Sequence, residues 1–331
     1  MNTSRCQGCK VVSYCSREHQ SIDWPAHKTY CSTIKKARTR LEAQEIALRA
    51  HPGDVDTPPD AFTEGGEGWG KFWGFQGTRP YMSARYVLVE ALLMVNTTAA
   101  VEAALDHSLD MVRLNRMDNQ GMRQLIPTLL LRLGRDQQCY NVLKWHTTTL
   151  KEGATWSGIA TPELDLRDED AFYPVGDFIA AMMPLPHLVI LTLLKLRIMV
   201  DLKGFHLRCS TPGPHAPQHI ISGIMVKDAE YLDEGPAAAL DMIMEFQMKL
   251  IKELYMAVHL QNVHFWAALL DPRGHLRAKP NGYMMGSREE MQVTLQQTYN
   301  AWVKSPGAIK IVEELGRHEE VLERLARYMA R

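Results

Sequence analysis

The chain has 331 residues, 46% of them hydrophobic and 23% charged, enough to bury the core of one large domain or two smaller ones. A formal net charge of −1 argues against a surface built as a general coat for nucleic acid or anionic membrane. No signal-peptide pattern opens the sequence, so an intracellular location, cytoplasm or nucleus, is expected.

The first element is a cluster of metal-ligand residue types. Four of the six cysteines fall in the first 31 residues, at Cys6, Cys9, Cys15 and Cys31, interleaved with His19 and His27. In a reducing compartment such a cluster reads as a metal site before it reads as disulfides. Cys6-x-x-Cys9 is a short loop able to aim two thiolates at one ion. His27 and Cys31, four apart, share one face of a helix, with Asp23 expected as its N-cap and Pro25 in its first turn. Together these four make a closed Cys3His tetrahedron, which leaves no water position and so describes a structural zinc.

These residues carry a resemblance. The stretch CQGCKVVSYCSREHQSIDWPAHKTYC, residues 6–31, resembles the C-terminal three-quarters of a MYND zinc finger. The resemblance implies a cross-brace of two zincs held by four ligand pairs. In that pattern the pair matched by Cys6 and Cys9 shares an ion with His27 and Cys31. Cys15 and His19 match half of the second site, whose other pair would lie upstream, and residues 1–5 contain no ligand. One tightly bound zinc is therefore expected. Members of the family mostly recognise short proline-containing peptides, and Gln20 and Trp24 occupy the matching groove positions.

Residues 32–50 have helix-forming composition and a basic start; residues 1–40 hold eight Lys or Arg against two acids. That basic segment supports an alternative reading, a transcription or DNA-associated regulator, although the positive charge also offsets three thiolates around one Zn2+. Residues 51–80 are rich in Gly and Pro and read as a linker or ordered loop, with WGKFWGF expected to bury against the helical body.

From Tyr81 onward apolar residues recur at helical spacing, with short connections that suggest antiparallel neighbours. Long helices are expected over roughly 186–203 and 225–260, and a break at SPG divides the last clear pattern, TLQQTYNAWVKSPGAIKIVEEL. The apolar run 182–202 contains Lys195 and Arg197 and reads as a buried helix of a soluble body, with no membrane span. Stacked pairs of the tetratricopeptide kind are one possible arrangement, but no 34-residue period is legible. Two segments, MDNQGMRQLIPTLLLRLGRDQQCYNVLKW and TYNAWVKSPGAIKIVEEL, resemble a fungal group of MYND-finger proteins with a helical body.

The organisation read from sequence is thus a zinc-stabilised finger over 1–31, a basic helix and linker over 32–80, and an all-α domain of antiparallel helices over 81–331. A second cluster, His206, Cys209, His215 and His219, sits among Pro and Gly and reads as a surface loop. Asp110, Asp118, Arg135 and Asp136 read as caps or surface pairs. No P-loop, Rossmann fingerprint or GxSxG is present, and no histidine is followed two residues on by Asp. The expectation is a non-enzymatic protein-interaction module or adaptor that binds zinc and proline-containing partners.

Overall fold

In the computed structural model, residues 3–151, 164, 166–210 and 236–317 are described. They form two antiparallel two-residue strands, β1 (Ser4–Arg5) and β2 (Ser13–Tyr14), and eleven α-helices. The strands belong to the N-terminal finger, and the described residues beyond it are helix and loop. Chain contacts divide the molecule into two compact units, Met1–Leu129 with Glu152–Asp165, and Leu130–Lys151 with Leu166–Arg331.

The first unit is organised by α1 (Arg17–Arg49), a single helix of 33 residues. It begins earlier than the helix expected to start at Asp23 and runs on through residues 32–49 without a break. Ser16, with an extended backbone, is the N-cap and accepts from the His19 backbone N–H. Pro25 therefore lies inside the helix. It removes one hydrogen bond, the one Ser21 O would have accepted, on an exposed stretch where water can replace it. The helix survives because one buried stripe runs down its length: His27, Cys31, Ile34, Ala37, Leu41 and Leu48. Four of these recur every seven residues, so the two metal-ligand positions open the same seam that packs α1 against α2 (Arg79–Leu93).

α2 packs in turn on α3 (Thr98–Leu114). Between α1 and α2 the Gly- and Pro-rich segment is ordered. Phe72 is fully buried, with ring contacts to Phe62 and Tyr81 at 5.3 and 6.0 Å, and Arg49 stacks on Phe62. The expected burial of WGKFWGF against the helices thus holds for Phe72. Before α4 (Met122–Arg132), Asp118 caps the first turn by accepting from the N–H groups of Met122 and Arg123.

The second unit contains α5 (Asp136–Lys151), α6 (Gly176–Ala180), α7 (Leu185–Ser210), α8 (Pro236–Gln261), α9 (Phe265–Leu270), α10 (Arg288–Val303) and α11 (Ala308–Arg317). α7 is its axis: α8 packs along it, and α5, α10 and α11 also touch it. The break between α10 and α11 falls at Ser305-Pro306-Gly307, as the sequence indicated. The two cations of α7 are satisfied by protein. Lys195, fully buried, donates to the carbonyls of Ala171 and Tyr173 at 2.6 and 3.0 Å. Arg197 makes two bonds to the buried carboxylate of Asp136, at 2.6 and 2.8 Å, and donates to Ser305 Oγ at 3.0 Å. Asp136 is accordingly a core ion pair and not a surface one, because α5 delivers it to the middle of α7.

No described helix is long and apolar enough to cross a membrane. A tetratricopeptide array is not evident among the described residues, where helices range from 5 to 33 residues instead of recurring at one length. His206 lies in α7, 3.3 Å from Asp241. His215 and His219 lie outside the described residues.

Candidate metal centre

The finger brings together the four residues expected to share an ion. The ligand atoms of Cys6, Cys9, His27 and Cys31 all lie within 4.8 Å of one another, and all four side chains are buried. Cys6 and Cys9 come from the loop between β1 and β2, His27 and Cys31 from successive turns of α1. The Cys6–Cys31 sulfurs are 3.6 Å apart, and Cys9 Sγ is 3.5 Å from His27 Nε2. A tetrahedral zinc with ordinary bond lengths has S···S edges of about 3.8 Å and S···N edges of about 3.5 Å. The donor set and its spacing fit zinc. With all four positions taken by protein, the ion would cross-link the loop to the helix and leave no place for substrate or water.

The electrostatics agree with a thiolate site. Burial raises the Cys6 pKa, but the backbone N–H groups of Cys9 and Gly8 and the side chains of His27 and Cys31 outweigh it and bring the thiol down to about 6. Cys31 is pushed up to about 12 by burial and by its neighbours Cys6 and Cys9. The two opposed shifts belong to one close pair of sulfurs, 3.6 Å apart. Zinc would bind both as thiolates and displace their protons.

The surroundings hold the loop in place. Arg38 of α1 donates to Cys9 O at 3.1 Å, and the Thr97 hydroxyl, which also caps α3, donates to Val11 O at 2.7 Å. Tyr14 donates to Asp23 Oδ2 at 2.5 Å and meets His27 edge-on. Asp23 thus braces β2 against α1 where a helix cap was expected. None of these partners was legible beforehand, since each joins residues distant in sequence or in separate elements.

Cys15 and His19 stand apart from this cluster. Both are exposed, with Cys15 Sγ 2.7 Å from His19 Nδ1, and no third ligand-type side chain joins them among the described residues. Beside the metal centre runs a groove of about 520 Å³ between the β1 loop and one face of α1. Gln20 and Trp24 line it, with Arg5, Lys28 and Lys35. Trp24 is 41% exposed, touching His27 edge-on while leaving much of its indole open. Lys28 and Lys35 were not singled out from sequence, although their four- and eleven-residue offsets from Trp24 put them on its side of a helix.

Residues 1–31 match the family model described as MYND finger. The N-terminal segment is a MYND finger. Fingers of this type bind zinc and generally serve protein–protein interaction. Two curated proteins show how local this likeness is. The chain is 46% identical over 44 residues to the Rho GTPase-activating protein gacZ of Dictyostelium discoideum, covering 13% of this chain and 4% of that protein. It is 40% identical over 38 residues to the SET domain and MYND-type zinc finger protein 6 of Schizosaccharomyces pombe, covering 12% of this chain and 8% of that one. The match spans less than a tenth of either relative's length. No solved structure matches the chain significantly.

Proposed function

We propose that the chain is a non-enzymatic adaptor whose MYND finger reads extended, proline-containing peptides in the groove beside the metal centre. The observation that carries this reading is the exposed indole of Trp24 on the groove wall next to a closed Cys3His site. A closed site supplies rigidity and no chemistry, so its value lies in the surface it fixes. Trp24 offers a broad apolar face with one N–H donor, a surface on which a proline ring packs well. A proline-rich segment is already extended and loses little conformational entropy on docking. Opposite α1, β1 pairs only with β2 among the described residues, leaving one strand edge toward which an extended backbone can hydrogen-bond.

The test is Trp24→Ala, with zinc content and affinity for a proline-containing peptide measured on the same protein. Binding weakened by roughly 1–3 kcal/mol with zinc retained is the expected result. Zinc lost together with binding would make Trp24 a structural residue, and unchanged binding would remove it from the site.

A further inference from the structure

The peptide groove is lined by cations and by no acid. Its walls include Arg5 from β1 and Lys28 and Lys35 from α1, and the adjoining recess around Gln20 and Trp24 adds Arg17. All four are exposed, and none forms an ion pair with a described residue. The finger's two acids are turned elsewhere: Asp23 accepts from Tyr14, and Glu18 is not among the lining residues. Cations beside an apolar anchor, with no carboxylate among the lining residues, are complementary to an anionic partner.

We infer that the groove selects proline-containing peptides that carry acidic side chains on the Lys28–Lys35 side of the proline. This deepens, and rests on, the reading of the finger as a peptide reader. The helix supplies a ruler. At about 1.5 Å per residue, Lys28 lies about 6 Å and Lys35 about 16 Å along the α1 axis from Trp24. An extended proline-rich chain advances about 3.1 Å per residue. A proline seated on Trp24 therefore places carboxylates against the two lysines when Asp or Glu stands about two and about five positions away. Three thiolates around one zinc leave that centre with a net negative charge, which could by itself account for nearby cations. Lys35 stands one turn from Cys31 and within reach of that charge, so the gap between Glu and Gln peptides, and not the position of the cations, decides between the two explanations.

The test uses the zinc-loaded 331-residue chain and labelled peptides with one central proline. Glu is placed two and five positions before the proline in one peptide and after it in another, since either chain direction fits the ruler; control peptides carry Gln at the same positions. One Glu peptide should bind roughly three- to twentyfold more tightly than its Gln control, with the gap shrinking as salt is raised. The double variant Lys28→Gln, Lys35→Gln should erase the gap while keeping its zinc, because both side chains are exposed. Equal binding of Glu and Gln peptides would overturn the acidic preference and leave the reader intact. A gap that survives in the double variant would also overturn it, and absence of binding by every peptide would overturn both readings. Tighter binding of a DNA duplex, weakened by the same substitutions, would assign the cations to nucleic acid instead.

Discussion

Gly8 approaches Cys31 so closely that a β-carbon at position 8 would lie 2.6 Å from the Cys31 sulfur. The knuckle that carries two ligands therefore folds over the helix that carries the other two, with no room for any side chain between them. Gly8→Ala should force the loop or Cys31 to shift and spread the tetrahedron. A strained fit of this kind costs about 1–3 kcal/mol. Competition with a chromogenic chelator should show zinc held roughly five- to hundredfold more weakly, while unchanged affinity would mean that the loop relaxes freely.

Zinc stoichiometry should be one per chain. Cys15 and His19 are exposed and offer two donors, whereas the buried cluster offers four. Elemental analysis of the intact protein and of Cys15→Ser should both return one zinc. Cys31→Ser should return much less than one. Two zincs in the parent protein would require donors that the described residues do not bring to Cys15.

Zinc removal should be felt beyond residue 31. The sequence draws the finger as a separate unit over 1–31, yet His27 and Cys31 begin the buried seam by which α1 packs on α2. A structural zinc contributes on the order of 10 kcal/mol to a small site of this kind. On chelation, hydrogen exchange should accelerate through the first half of α1 and reach its contact with α2. Amides of α7 and α8, in the second unit, should keep their protection. Unchanged exchange between residues 34 and 48 would show that the seam holds without the metal.

The second unit should gain stability as pH rises above neutrality. Burial lowers the Lys195 pKa from 10.5 to about 7, against a smaller opposing pull from Asp170. Between those two values the unfolded chain binds more protons at this position than the folded one, so raising pH favours folding across that window. Below about pH 7 both forms are protonated, and the cost of burying the charge is present in full. Urea denaturation at pH 7, 8 and 9 should show Lys195→Met with a flatter profile than the parent, by a few kcal/mol over the whole window. Parallel profiles would mean that the carbonyls of Ala171 and Tyr173 hold the lysine charged throughout.

How much was legible in sequence follows the range of the interactions. Cys6, Cys9, His27 and Cys31 could be named beforehand because chelation depends on short spacings, a tight loop and two residues one helical turn apart. The helical body could be named because amphipathic periodicity is local, and the SPG break and the burial of α7 followed from the same signal. The length of α1 was not legible, since Pro25 locally argues for a helix start, and the seam that carries the helix through it is rewarded only when α2 arrives. The same holds for Asp136, which looks like a surface acid until α7 supplies Arg197 from 61 positions along the chain. Lys195 could be seen to need partners, but its partners are backbone carbonyls that no side-chain pattern announces. The groove was half legible: α1 fixes one wall through helical spacing, and the loop around Arg5 becomes the other wall only when the metal-ligand residues draw it onto the helix. Local spacing determined which atoms can hold an ion; the long-range packing of α1 decided what surface that ion supports.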